Sequence, residues 1–181
     1  MEYLDVLDAW GNPTGQKKTK AEIHEAGDWH RAVHVWIVNS KGELLIQKRS
    51  PEKDSHPNMW DISGAGHVSS GETPIMSALR EVEEELGISF PKEKFEHLFG
   101  LTQQSIQKNG AWKNNEFNDV YLIEADLDVN TLKLQEEEVA EVKFIPYKEL
   151  EKEISSGNDK YVPHPEEYRR LFEELHRRYA N

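Results

Sequence analysis

Apolar residues along this chain fall mostly in short β-like runs and take up helical spacing in only a few places. Ala32–Val38 is a β-branched run containing His34 and Trp36. It is followed by the turn Asn39–Gly42 and the returning run Glu43–Lys48, a pattern that predicts a hairpin in the central sheet. Residues 3–9 and 16–22 flank Trp10–Gly15, whose Gly, Asn and Pro predict an N-terminal hairpin. Phe95–Ser105, Asp119–Ala125 and Glu141–Ile145 are predicted as strands, with the polar segment Gln107–Asn115 separating the first two. Residues 50–58 are polar and Pro-punctuated, hence a surface loop, and Trp60–Ser63 leads into a glycine loop, Gly64–Gly66.

Helical periodicity is clearest after Thr73, a capping residue, and Pro74, which suits the first helical position. Ile75, Leu79, Val82 and Leu86 then form one stripe, and Gly87 falls where a left-handed residue would end the helix. Tyr147–Ile154 and Pro165–Tyr179 are predicted helices, the second with Tyr168, Leu171, Phe172 and Leu175 on its apolar side. Strands, one helix, more strands and closing helices make an α+β chain, with a mixed sheet packed between helices.

Composition narrows this picture. A length of 181 residues suits a single domain, and 36% hydrophobic residues suit a folded one. The net charge of −12 argues against a nucleic-acid polymer as partner, since phosphate contacts need a basic surface. With no cysteine there is neither a disulfide nor a thiolate nucleophile. No apolar run spans a bilayer, and the start MEYLDVLDAW does not resemble a signal peptide, so a soluble cytoplasmic protein is expected. Oligomeric state is not legible.

The candidate chemistry lies on the helix after Pro74. Glu81, Glu84 and Glu85 stand three and four residues apart, which predicts one exposed face carrying all three carboxylates. A run of glutamates is more commonly a solvated face. Here Arg80 can neutralise one carboxylate, and a hard divalent cation with oxygen ligands would serve the others.

The larger pattern favours the metal. Gly66, Glu72, Arg80, Glu81, Val82, Glu84, Glu85, Gly87 and Ile88 match every position of the Nudix box. At roughly 7% usage per residue, seven fixed matches arise by chance in on the order of one window in 10⁸. The chain therefore resembles the Nudix family. The resemblance implies an α/β/α sandwich over residues 1–181, with residues 1–28 as a hairpin extension, 66–88 as the box and 165–179 as the C-terminal helix. It also implies a magnesium-dependent hydrolase, with manganese as the alternative ion, cleaving a diphosphate linkage in a small molecule such as a nucleoside diphosphate derivative. Glu84 and Glu85 would ligate the metal, with Glu81 a further ligand or the base. The Ala65 carbonyl would join the shell, Arg80 would orient a glutamate, and Glu72 would brace the loop.

His30–Val35, Gln47–Ser50 and Trp60–His67 also resemble the Nudix branch related to isopentenyl-diphosphate isomerase, over about residues 1–145. That isomerase carries a cysteine where this chain has Ala65, and a methyl group can neither donate nor accept a proton. The difference favours hydrolysis over isomerisation, with a non-hydrolytic nucleotide-binding module as the other alternative. The isomerase's metal site of three histidines and two glutamates implies a second, weakened site at His24, His30 and His67. Glu116 would stand at one glutamate position and Asn114 at the other. Lys48, Arg49 and Trp112 are candidate substrate contacts, while Trp36 and Trp60 are expected in the core. His56, His97, His164 and His176 show no partner pattern, and Glu136–Glu138 is read as a solvated loop without a role.

Overall fold

The computed structural model describes residues 1–179 of the chain. Its organising strand is β3 (Trp29–Val38), buried on both faces, as a near-continuous apolar run should be. One edge of β3 pairs in parallel with β8 (Trp112–Glu124), from Trp29–Asn115 to Val38–Glu124. Strand β7 (Glu96–Gln107) runs antiparallel beyond β8. The other edge is shared: β6 (Gly64–His67) lies beside Ala32–Val35, and β4 (Glu43–Arg49) beside Ile37 and Val38. Both β9 (Val139–Pro146) and β5 (Trp60–Asp61) pair with β4. At the N-terminus, β1 (Tyr3–Leu7) pairs with β2 (Pro13–Thr19) and touches β3 at Trp29.

The two faces of the sheet carry separate cores, because successive side chains of a strand point opposite ways. Val33, Val35 and Ile37 face α2 (Pro74–Leu86) and meet Ala78, Val82 and Leu86. Trp36 and Val38 face α3 (Tyr147–Ser155) and α4 (Pro165–Arg178), where Leu150, Leu171 and Leu175 pack. The result is an α/β/α sandwich with a mixed sheet. A third, small core of Leu4, Val6 and Ile23 ties β1 to α1 (Lys20–Ala26). Trp36 is fully buried, and Trp60 is partly buried against the Trp36 core. No helix among the described residues is long and apolar enough to cross a membrane.

The ends of α2 follow the sequence. Thr73 Oγ1 accepts from the Met76 N–H, Pro74 occupies the first turn, and Gly87 closes the helix at φ 65°. A Cβ there would also lie 2.6 Å from the Lys133 Cβ.

Three expectations need correction. Residues 20–22 do not extend a strand but begin α1, where Thr19 and Glu22 cap each other reciprocally. Gly64–Gly66 is part of β6 and not a loop, because small residues also permit a strand that a helix approaches closely. The polar segment Gln107–Asn115 is mostly strand. β7 runs to Gln107 and β8 begins at Trp112, around a turn with Lys108 and Asn109 at positive φ. Of its strand residues, Gln107, Trp112 and Asn114 line a cleft.

Candidate functional site

A cleft of about 740 Å³ opens where α1, α2, β6 and the 50–58 loop converge. Glu81, Glu84 and Glu85 line it, as do Ala65, His67 and Glu116. Glu85 corrects the expected exposed face, being only 5% exposed and turned towards the sheet. A helical turn of 3.6 residues places Glu85 beside the Val82 and Leu86 stripe, whereas Glu84 stays outside. Gln47 Nε2 donates to Glu85 Oε2 at 2.5 Å and to the Ser63 carbonyl at 3.0 Å.

Arg80 supplies positive charge at the outer end. Its guanidinium donates to Glu72 at 3.1 Å, to Glu81 at 2.8 Å and to Glu84 at 3.4 Å. Ser77 donates to Glu72 as well, so Glu72 braces the residues before α2 and is held below the usual carboxylate range. Burial pushes the Glu81 carboxyl up to about 7, against the pull of Arg80. Burial, reinforced by Glu81, pushes Glu85 up to about 8, against the Gln47 hydrogen bond.

A second cluster joins His24, His67 and Glu116, which line the cleft, to the fully buried His30. Donor atoms of His24, His30, His67 and Glu116 all lie within 4.8 Å of one another. Sheet register assembles it: Glu116 sits beside His30 on β8, and His67 of β6 pairs with Ala32 across β3. His24 arrives from α1. Carbonyl oxygens only accept, so His24 Nδ1 donates to Lys20 O at 2.7 Å and His30 Nδ1 to Asp28 O at 3.1 Å. His30 thereby offers Nε2, which is buried without a hydrogen-bond partner, whereas His24 Nε2 lies 3.0 Å from Asn114 Oδ1. An orphaned imidazole nitrogen 3.4 Å from a carboxylate oxygen, with two further rings about it, fits a divalent transition metal. Burial depresses His24 to about 4 and lowers His67, so these ligands are neutral at pH 7. Burial works against the Glu116 charge, but the neighbouring His30 and His67 rings outweigh it and hold the group well below the carboxylate range.

The two clusters should therefore load at different pH values. His24 has no proton to lose at pH 6, whereas Glu81 and Glu85 hold theirs until about pH 7 and 8. Equilibrium dialysis with manganese is expected to find one ion per chain at pH 6 and at least two at pH 8. Equal stoichiometry at both values would contradict the assignment.

The floor of the cleft holds groups that the sequence pattern did not single out. His34 Nδ1 donates to Glu167 Oε2 of α4 at 2.7 Å, and Trp36 Nε1 donates to Glu167 Oε1 at 2.9 Å. Burial alone would depress His34, but Glu167 outweighs it and holds the imidazole up at about 9. Close by, His164 Nε2 lies 2.9 Å from Asp61 Oδ1, while Arg49 donates to Asp61 Oδ2 at 3.1 Å.

Of the candidate substrate contacts, Arg49 lines the cleft and is tied to Asp61 and Ser55. Lys48 lies outside the cleft, fixed mid-sheet between Trp60 of β5 and Glu141 of β9. Trp112 lines the cleft with one face covered by His24, which stacks on it at 3.8 Å. Glu138, read as a role-free loop residue, also lines the cleft and pairs with Lys53. His34 and His164 were missed for different reasons. Two-residue alternation from His30 could have flagged His34, but no local signal links His164 to Asp61 across the chain.

Known proteins agree with this architecture. The family model described as NUDIX domain matches residues 28–165. Nudix hydrolase 3 of Arabidopsis thaliana is 46% identical over 182 residues, covering 98% of this chain and 24% of the relative, so the chain spans about a quarter of that protein. An uncharacterized Nudix hydrolase of Listeria monocytogenes is 38% identical over 91% of this chain and 90% of its own. A weaker likeness reaches an isopentenyl-diphosphate Delta-isomerase of Dinoroseobacter shibae, 30% identical over 88% of each chain. In fold, a Deinococcus radiodurans crystal structure superposes with TM-score 0.68 over 97% of this chain and 98% of its own, at 23% identity. A box-bearing α2 set against β6, within a sandwich matched by the family model from residue 28 to residue 165, identifies the chain as a member of the Nudix hydrolase family.

Proposed function

We propose that this protein hydrolyses a diphosphate linkage in a small molecule, using a divalent cation, magnesium or manganese, held by Glu81, Glu84 and Glu85. The observation that carries this reading is the convergence of α2's glutamates on the cleft that also holds the His24, His30, His67 and Glu116 cluster. When bound, such a cation neutralises phosphoryl oxygens and acidifies water. The chain's own residues do the rest. Glu81, with its carboxyl near pH 7, is suited to take a proton from the attacking water. Arg80 holds Glu81 and Glu84 in place, and the Ala65 carbonyl is a further oxygen ligand. His24, His30, His67 and Glu116 provide a separate nitrogen-rich site for a second cation, with Asn114 bonded to His24 in place of another carboxylate. Arg49 and Lys53 on the cleft wall supply positive charge for a phosphate.

Isomerisation is disfavoured because Ala65, beside His34 in the sheet, offers no exchangeable proton. The test is a substrate panel of nucleoside diphosphates, sugar nucleotides, dinucleotides and isopentenyl diphosphate, assayed with magnesium and then manganese. Phosphate or monophosphate release that depends on the metal is expected, with no deuterium exchange into isopentenyl diphosphate. Binding without turnover across the panel would overturn the hydrolase in favour of a binding module.

A further inference from the structure

His34 and His164 stand on the floor of the cleft, apart from the box and from the His24 cluster, and each is tethered by its own buried carboxylate. His34 is held on Nδ1 by Glu167, and His164 on Nε2 by Asp61. Their rings lie 5.4 Å apart, edge towards face. The remaining nitrogen of each ring has no hydrogen-bond partner among the described residues. His164 Nδ1 is buried and unpaired on a side chain 9% exposed as a residue, while His34 Nε2 has no bond yet keeps some accessible surface. Both residues line the cleft. A buried imidazole nitrogen without a partner costs free energy, so the pair is a place where an incoming group gains hydrogen bonds.

We propose that His34 and His164 form a subsite for a hydroxyl-bearing group, sugar or polyol, attached to the diphosphate that the box glutamates act on. The proposal rests on the reading of the cleft as a diphosphate hydrolase site and adds the chemical class of the substrate's other half. Charge does not call for a further phosphate here: the carboxylates of Glu167 and Asp61 already balance the His34 imidazolium and the Arg49 guanidinium. A hydroxyl both donates and accepts, so it accepts from the protonated His34 Nε2 and serves His164 Nδ1 whether or not that nitrogen carries a proton. The adjoining wall has the same character: Gln103, Ser105 and Gln107 alternate along β7 towards the cleft, with Asn114 opposite Ser105 on β8. Amides and hydroxyls donate and accept alike, and an apolar chain laid against them would leave them unpaired.

The experiment uses the full chain and two matched probes, ribose 5-phosphate and isopentyl phosphate, which share a phosphate and differ in hydroxyls. Side-chain nitrogen resonances of His34 and His164 are followed by NMR. Ribose 5-phosphate is expected to shift both resonances, and isopentyl phosphate to leave them in place. No shift with ribose 5-phosphate, or an equal shift with isopentyl phosphate, overturns the subsite. His34→Asn keeps a donor for Glu167 and removes Nε2, and His164→Gln keeps a donor for Asp61 and removes Nδ1. In turnover, the wild type is expected to prefer ADP-ribose to isopentenyl diphosphate by about tenfold or more in kcat/KM, and each variant to lose most of that preference. A wild-type preference for isopentenyl diphosphate also overturns the subsite. If neither compound is cleaved, the resonance shifts still decide the subsite, and turnover across the wider panel decides the hydrolase reading.

Discussion

Glu85→Gln is expected to lower kcat by about 10²- to 10⁴-fold while raising the stability of the fold. The loss follows from removing an anionic ligand at the box. The gain follows from the burial of Glu85, at 5% exposure, which pushes its carboxyl up to about 8 from an ordinary 4.5. Between those pH values the folded protein retains a proton that the unfolded chain has released, so stability falls as pH rises through that window. A neutral amide escapes this cost. At pH 7.5 the variant should therefore be more stable by about 1–3 kcal/mol, or roughly 2–10 °C in melting temperature for a chain of this size. The advantage should shrink to about 0.4 kcal/mol at pH 4.5, where the unfolded carboxyl is half protonated, and vanish below that. Thermal melts at pH 4.5 and 7.5, paired with single-turnover assays, check both halves. A variant less stable than wild type at pH 7.5 would show that Glu85 is ionised and well paired in the fold. Residues held at a stability cost are the ones expected where chemistry requires them.

Gly66→Ala is expected to cost about 10²-fold in kcat/KM with a much smaller effect on folding. A Cβ built on Gly66 would lie 2.1 Å from Glu81 Cδ and 2.5 Å from Glu81 Cγ. These are side-chain atoms, so the fold can survive by turning Glu81 away, and in doing so it loses the carboxylate's place against Arg80. The glycine is required here by close approach and not by backbone conformation. A double-mutant cycle isolates the effect: in a Glu81→Gln background the alanine should add little further loss. A full second loss, multiplying the first, would mean that Gly66 acts through something other than Glu81.

How far the sequence revealed the site depended on whether the controlling contacts were local. Thr73, Pro74 and Gly87 act within one helical turn, and the structure has them capping α2 as their spacing predicts. The Glu85 side chain was misplaced because three- and four-residue spacing reports neighbours on a helix and says nothing of where the sheet lies. Only the partner Gln47, 38 residues away, shows that Glu85 faces inward. Segment 107–115 reads as a loop since polar residues ordinarily face water, whereas its Gln107, Trp112 and Asn114 line a cleft. The floor was least legible of all. His34 reaches a residue 133 positions later and His164 one 103 positions earlier, distances over which periodicity carries no signal.

The capped helix α1 has a practical consequence for anyone trimming the chain. The family match begins at residue 28, yet Lys17, Lys20 and His24 from the preceding segment form one side of the cavity. His24 owes its ring orientation to the Lys20 carbonyl and to the stack on Trp112. A fragment cut at the boundary of the shared domain would keep the box and lose an imidazole from the nitrogen-rich cluster. Comparisons of shortened family members with this protein should begin by asking whether that leading hairpin and its helix were retained.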